Sequence, residues 1–172
     1  MIRNAILATL LSLGMAGAAV AADAPTDPQI AHIAYTAGQI DIAAAEQAIK
    51  KSKNADIIDF AKQMAADHKA VNDQAVALVT KLGVTPEDNP TSQALSKQAA
   101  DKLAELDKLD GAAFDKAYID NEVAYHKAVN AALSSLLIPS AKNADLKALL
   151  ETGLTLFTEH QKHAEMVAEK FK

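Results

Sequence analysis

The stretch that most constrains this chain runs from Ile57 to Leu82, with Met64-Ala65-Ala66-Asp67-His68 near its middle. At ~100° per residue, Ile57, Phe60, Ala61, Met64, Val71, Ala75, Leu78 and Leu82 gather on one side of a helix. Lys62, Lys69, Asp73 and Lys81 fall away from that side or on its edges. His68 falls nearly at its centre. A titratable ring aimed into a core is unfavourable unless something there uses its nitrogens. The other amphipathic segments must therefore be searched for partners, and three of them carry candidates.

Alanine dominates, glycine is scarce and no segment alternates with the period of a strand, so the expected fold class is all-α. The first helix opens at Thr26-Asp27-Pro28, where Asp27 or Thr26 caps and Pro28 suits the first turn. Ile30, Ile33, Ala37, Ile40, Ala44 and Ala48 form its stripe, to about Lys51, and Asp41 lies within ~40° of the stripe's centre. His32 and Glu46 point the other way and read as solvated. Ser52-Lys53-Asn54 is a short turn, which makes the first two helices antiparallel neighbours.

The second helix stops at Gly83, and a loop with two prolines follows, from Val84 to Pro90. A shorter helix is expected over Ser92–Asp107, broken by Asp110-Gly111. The next long helix runs from about Ala112 to Leu137 and buries Phe114, Tyr118, Tyr125, Val129, Leu133 and Leu136; Pro139 ends it. Glu122 lies within ~20° of that face's centre and His126 ~60° off. After Ser140–Asn143, the last helix buries Leu146, Leu149, Leu150, Gly153, Phe157, Ala164, Val167 and Phe171. His160 lies close to the middle of that face, His163 near its edge, and Glu159 points away.

The link from Gly83 to Gly111 is far longer than a chain reversal needs. Used as a crossover, it makes the second helix and the Ala112–Leu137 helix parallel, as in a ferritin-like four-helix bundle. Asp41, His68, Glu122 and His160 then sit at one height.

Residues 1–21 stand apart from this pattern. Arg3, an apolar run through Ala5–Leu13 and small residues ending at Ala21 read as a signal peptide, leaving a domain over residues 22–172 that is periplasmic or secreted. A retained membrane anchor is the alternative, and Gly14, Gly17 and the alanines favour cleavage. The chain has no cysteine, which excludes disulfides, soft thiolate metal sites and a lipid-modified cysteine. Its net charge is −5, with no basic patch interleaved with aromatics, so nucleic acid is not expected as a partner.

Neutral imidazole and carboxylate are ligands for zinc, iron, copper or manganese, and facing helices hold them at distances an ion can bridge. The expected metal ligands are Asp41, His68, Glu122, His126 and His160. The alternative is a metal-free network of carboxylates and histidines in a structural or interaction protein of the cell envelope, and a homo-oligomer or an envelope protein partner is compatible with either. Asp67, ~80° off the core face, reads as a partner behind a ligand or as a surface charge. No serine sits in a strand-turn-helix elbow, so nucleophilic catalysis has no support and the chain reads as a binding protein more than an enzyme.

Ala37-Gly38 through Asp41, Asp59-Phe60-Ala61-Lys62-Gln63-Met64 leading into Asp67-His68, Phe114-Asp115-Lys116-Ala117-Tyr118-Ile119 with His126, and the late His160 together resemble a bacterial family. It is the ferritin-like domain-of-unknown-function family 4142, often labelled "predicted outer membrane protein". The resemblance covers essentially the whole domain after residue 21 and implies a secreted or periplasmic four-helix bundle of unsettled role. The family commonly has glutamate where this chain has Asp41. Diiron ferritin-like proteins carry Glu-x-x-His pairs on two helices. Here the nearest approach, Glu122 with His126, is spaced by four, and a single-metal site fits the ligand count better. The alternating strands of an outer-membrane barrel are absent.

Overall fold

A computed structural model describes residues 24–172, and among these there is no strand. The expected leader and the start of the domain at Ala22 lie outside the described residues. Five helices follow: α1 (Asp27–Lys51), α2 (Ala55–Leu82), α3 (Pro90–Asp107), α4 (Gly111–Ala132) and α5 (Ala144–Ala168). Among them no helix is long and apolar enough to cross a membrane.

The caps explain the boundaries. Asn54 Oδ1 accepts the Asp56 N–H at 2.9 Å to open α2, and Gly83 closes it at φ 65°, a left-handed value that suits glycine. Asn89 Oδ1 accepts from the N–H groups of Thr91 and Ser92, so α3 starts at Pro90, two residues before the expected Ser92. Asp27 takes a longer-range role than capping its own helix. Its two carboxylate oxygens accept from the backbone of Lys142 and Asn143, at 2.8 and 2.9 Å, and tie the start of α1 to the turn before α5.

Pro139 does not end α4. The helix widens into a π turn over Leu133–Leu137, with the Ile138 N–H bonded to Leu133 O, and Ile138–Ser140 resumes α geometry. Widening the helix just before proline moves its ring away from the carbonyl it would otherwise strike. The extra residue also rotates the buried face. Leu137 is buried where Leu136 was expected, and Leu136 is 42% exposed.

The order of contacts sets the directions. Glu87 N–H donates to Pro28 O and Gln47 Nε2 to Leu103 O, so α3 climbs beside α1 in the same sense. Lys51 at the end of α1 pairs with Asp110 at the start of α4, and Lys170, two residues past the end of α5, pairs with Asp56 at the start of α2. Helices α2 and α4 thus run in one sense, α1 and α5 in the other. Toward the Ser52–Asn54 end, the upper end here, an apolar cluster forms around Phe60, Met64, Phe114, Tyr118 and Ile119. Toward the Asp27 end a second forms around Ile30, Ile33, Leu133, Leu150 and Phe157. A layer of ionisable side chains separates them.

Candidate metal centre

That layer contains Asp41 from α1, His68 from α2, Glu122 and His126 from α4, and His160 from α5, each at most 2% exposed. All five occupy inward stripe positions of long helices, so the packing that builds the two clusters also buries them between the clusters. The three imidazoles form a triangle with centroids 5.3 to 5.7 Å apart. Ligand atoms from His68, His126 and His160 lie within 4.8 Å of one another, and so do those from Asp41, Glu122 and His126. His126 belongs to both groups.

Hydrogen bonding fixes which nitrogens are available. His126 Nδ1 lies 3.0 Å from the backbone carbonyl of Glu122, which can only accept, so Nδ1 carries the proton and Nε2 presents a lone pair. His160 Nε2 lies 3.0 Å from Asp67 Oδ2, which turns its Nδ1 lone pair inward. Asp67, with a side chain 34% exposed, is thus the partner behind His160. His68 has no hydrogen bond at either nitrogen, and its ring stacks on Phe157 at 4.5 Å. Both oxygens of Asp41 and of Glu122, His126 Nε2 and His160 Nδ1 are likewise buried without a partner. Buried polar atoms are seldom left so, and here they converge.

Spacing tests whether an ion suits the group. Donors bound to one tetrahedral ion at ~2.0–2.1 Å stand roughly 3.3–3.4 Å apart. Asp41 Oδ2 lies 3.4 Å from His68 Nε2 and 3.5 Å from His126 Nε2. These two pairs stand at the spacing one ion needs, and the buried groups could hold a metal.

Burial dominates the electrostatics. It pushes His68 down to about 3, with His126 and His160 adding repulsion, and His126 down to about 4. His160 is also lowered by burial, a shift that Asp67 opposes. Burial pushes Asp41 up to about 7, and burial together with the Asp41 charge raises Glu122 well above the usual carboxylate range. The Tyr118 phenol, raised by burial and then by Glu122 and Asp41, keeps its proton, and its hydroxyl is also unpartnered.

Two other histidines stay outside the layer. His163 sets its ring edge-on to Phe60 at 5.1 Å. His32, expected to be solvated, is half-buried with Nδ1 3.9 Å from Asp88 Oδ1, because the loop after α2 folds over it. The sequence reading overlooked Asn72, buried one helical turn past His68. Its Nδ2 donates to Tyr35 O at 3.4 Å, and its Oδ1 lies 2.3 Å from where a Cβ on Gly38 would stand. Its place four residues after His68 on the same stripe was the available signal.

A family model described as a domain of unknown function (DUF4142) matches residues 13–167. No curated protein and no solved structure matches the chain.

Proposed function

The chain belongs to the DUF4142 family, and we propose that it is an exported ferritin-like four-helix bundle that binds one transition metal ion in a binding or storage role. The observation that carries this reading is the convergence of unpartnered donor atoms from four helices. His68, His126 and His160 would hold the ion with Asp41, and Glu122 lies beside them. Charge supports a divalent ion. Two carboxylates and three neutral imidazoles carry −2, which one such ion balances, whereas a metal-free layer must neutralise that charge by binding protons. The opposed helix directions, with α3 as the crossover, support the ferritin-like assignment. Export rests on the pattern of residues 1–21, and N-terminal sequencing of periplasmic material that finds a start near Ala22 would support it.

The test is a thermal melt of chelator-stripped protein titrated with zinc, copper, iron(II) and manganese. An ion at a hundred times its Kd should stabilise by about 2.7 kcal/mol, because it binds the folded state. His68→Ala and His160→Ala should each abolish the shift, and His32→Ala should retain it. The shift should weaken as pH falls through about 7, because Asp41 and the raised Glu122 then hold protons that the ion must displace. If no ion raises the wild-type melting temperature, or His32→Ala behaves like His68→Ala, the layer is a metal-free network.

A further inference from the structure

A cavity of about 320 Å³ that the metal reading does not use runs past the histidine layer, from Leu133, Leu146 and Leu150 of the lower cluster up to Ala44, Leu103 and Leu106 beside the upper one. It takes residues from Ala31 to Ala44 on α1, from Val71 to Val79 on α2, from Leu95 to Leu106 on α3, from Asn121 to Leu137 on α4 and its π turn, and from Leu146 to Phe157 on α5. The α3 share alone spans ~16 Å at 1.5 Å per residue, about the extended length of a dozen carbons. Such a volume drawn out along the helices is a slot, not a round chamber. Alanines make the room, and α3, which packs along α1, touches α4 only sparingly, leaving a mouth beside Ala99 and Ala128. Its inner end reaches Phe157, whose other role is to stack on His68.

The polar groups around the slot point to one ligand class. The chain has 22 Asp and Glu residues, yet none lines the slot, and the single charged side chain there is Lys102 at the mouth. Lys102 pairs with Glu105, an exposed contact weak enough to exchange. A largely apolar slot with one cation at its opening, its other polar side chains being the neutral Asn72, Gln98, Asn121 and Tyr125, complements a hydrocarbon tail with an anionic end.

We propose that this slot binds one unbranched long-chain carboxylate, with its alkyl tail between α1, α3 and α4 and its carboxylate at Lys102. This site does not depend on a metal. Calorimetric titration of the chelator-stripped full chain with octanoate, decanoate, dodecanoate and tetradecanoate, each below self-association, tests it apart from the metal reading. One carboxylate should bind per chain. Affinity should rise about fourfold per added methylene and level off once the slot is full. Ala99→Leu and Ala128→Leu, two independent ways of filling the mouth, should weaken dodecanoate roughly tenfold or more while the protein melts as before. Lys102→Met should reduce dodecanoate to the affinity of dodecanol. The proposal is overturned if binding does not saturate, if affinity keeps climbing with length beyond one ligand per chain, or if a filled variant that melts normally binds as tightly. An unchanged Lys102→Met overturns the carboxylate's placement and with it the ligand class.

Discussion

Above the histidine layer, Phe60, Met64, Phe114, Tyr118 and Ile119 are fully buried, and the Phe60 and Phe114 rings lie 6.3 and 6.1 Å from that of Tyr118. Below it, Val71, Leu78 and Leu95 are only partly buried, Phe157 keeps 8% of its surface exposed, and much of the slot's lining lies here, although it also reaches Ala44 and Leu106 above. The same long helices build both halves. What differs is side-chain volume: aromatic rings fill the upper interval, whereas Ala34, Ala37, Ala75 and Ala128 face the lower one. The small alanine side chains leave this interval short of ordinary packing density. One half is filled by rings and the other keeps most of a cavity.

Truncating an aromatic on each side tests that contrast most strongly. Phe60→Ala should cost ~3–5 kcal/mol, as expected for a ring with neighbours on every side. Phe157→Ala should cost less, about 2–3 kcal/mol, because one flank of its ring already faces the slot. Denaturant unfolding of both variants measures the gap, and equal losses would mean the lower half is as well packed as the upper.

The π turn gives the next effect, within the lower half. Leu137→Ala should cost ~2–3 kcal/mol, and Leu136→Ala no more than about 0.5 kcal/mol. The reverse order would restore an ordinary α register before Pro139.

The smallest effect concerns the layer that divides the halves. The histidines, lowered in the folded state, contribute stability present above about pH 6.5 and lost as pH falls toward the folded values of about 3 for His68 and about 4 for His126. Asp41 and Glu122, raised in the folded state, contribute stability present below about pH 4 and lost as pH rises, for Asp41 through about 7. In the acid window the neutral histidines and the protonated carboxyls act in opposite senses, and stability rises with pH where the histidines outweigh the carboxyls. Above it only the carboxyls act, and the slope reverses. Metal-free protein should therefore be most stable near pH 6.5, and denaturation curves from pH 5 to 8 check this. Saturating metal, which takes the place of the carboxyl protons, should flatten the alkaline side. A metal-free stability that rises steadily from pH 5 to 8 would mean that Asp41 and Glu122 are ionised without a metal.

Much of this was legible along the chain. Helix-period stripes, the stop at Gly83 and the Ser52–Asn54 turn follow from local rules, because chain termination and amphipathicity act over one or two turns. Asp41, His68, Glu122, His126 and His160 were legible for the same reason: an ionisable residue on an apolar stripe must be buried if the stripe is. Only the tertiary structure decided how those groups face one another. It set the 3.4 and 3.5 Å approaches to Asp41, the pairing of Asp67 with His160 and the depth of Asn72. Each depends on the distance and rotation between helices far apart in sequence, which a single-helix projection does not contain. The π turn at Leu133–Leu137 shifts the very period on which such a projection relies, so Leu137 took the place expected for Leu136. The slot too arose only in three dimensions, because an alanine stripe reads the same whether its neighbour closes on it or stands away.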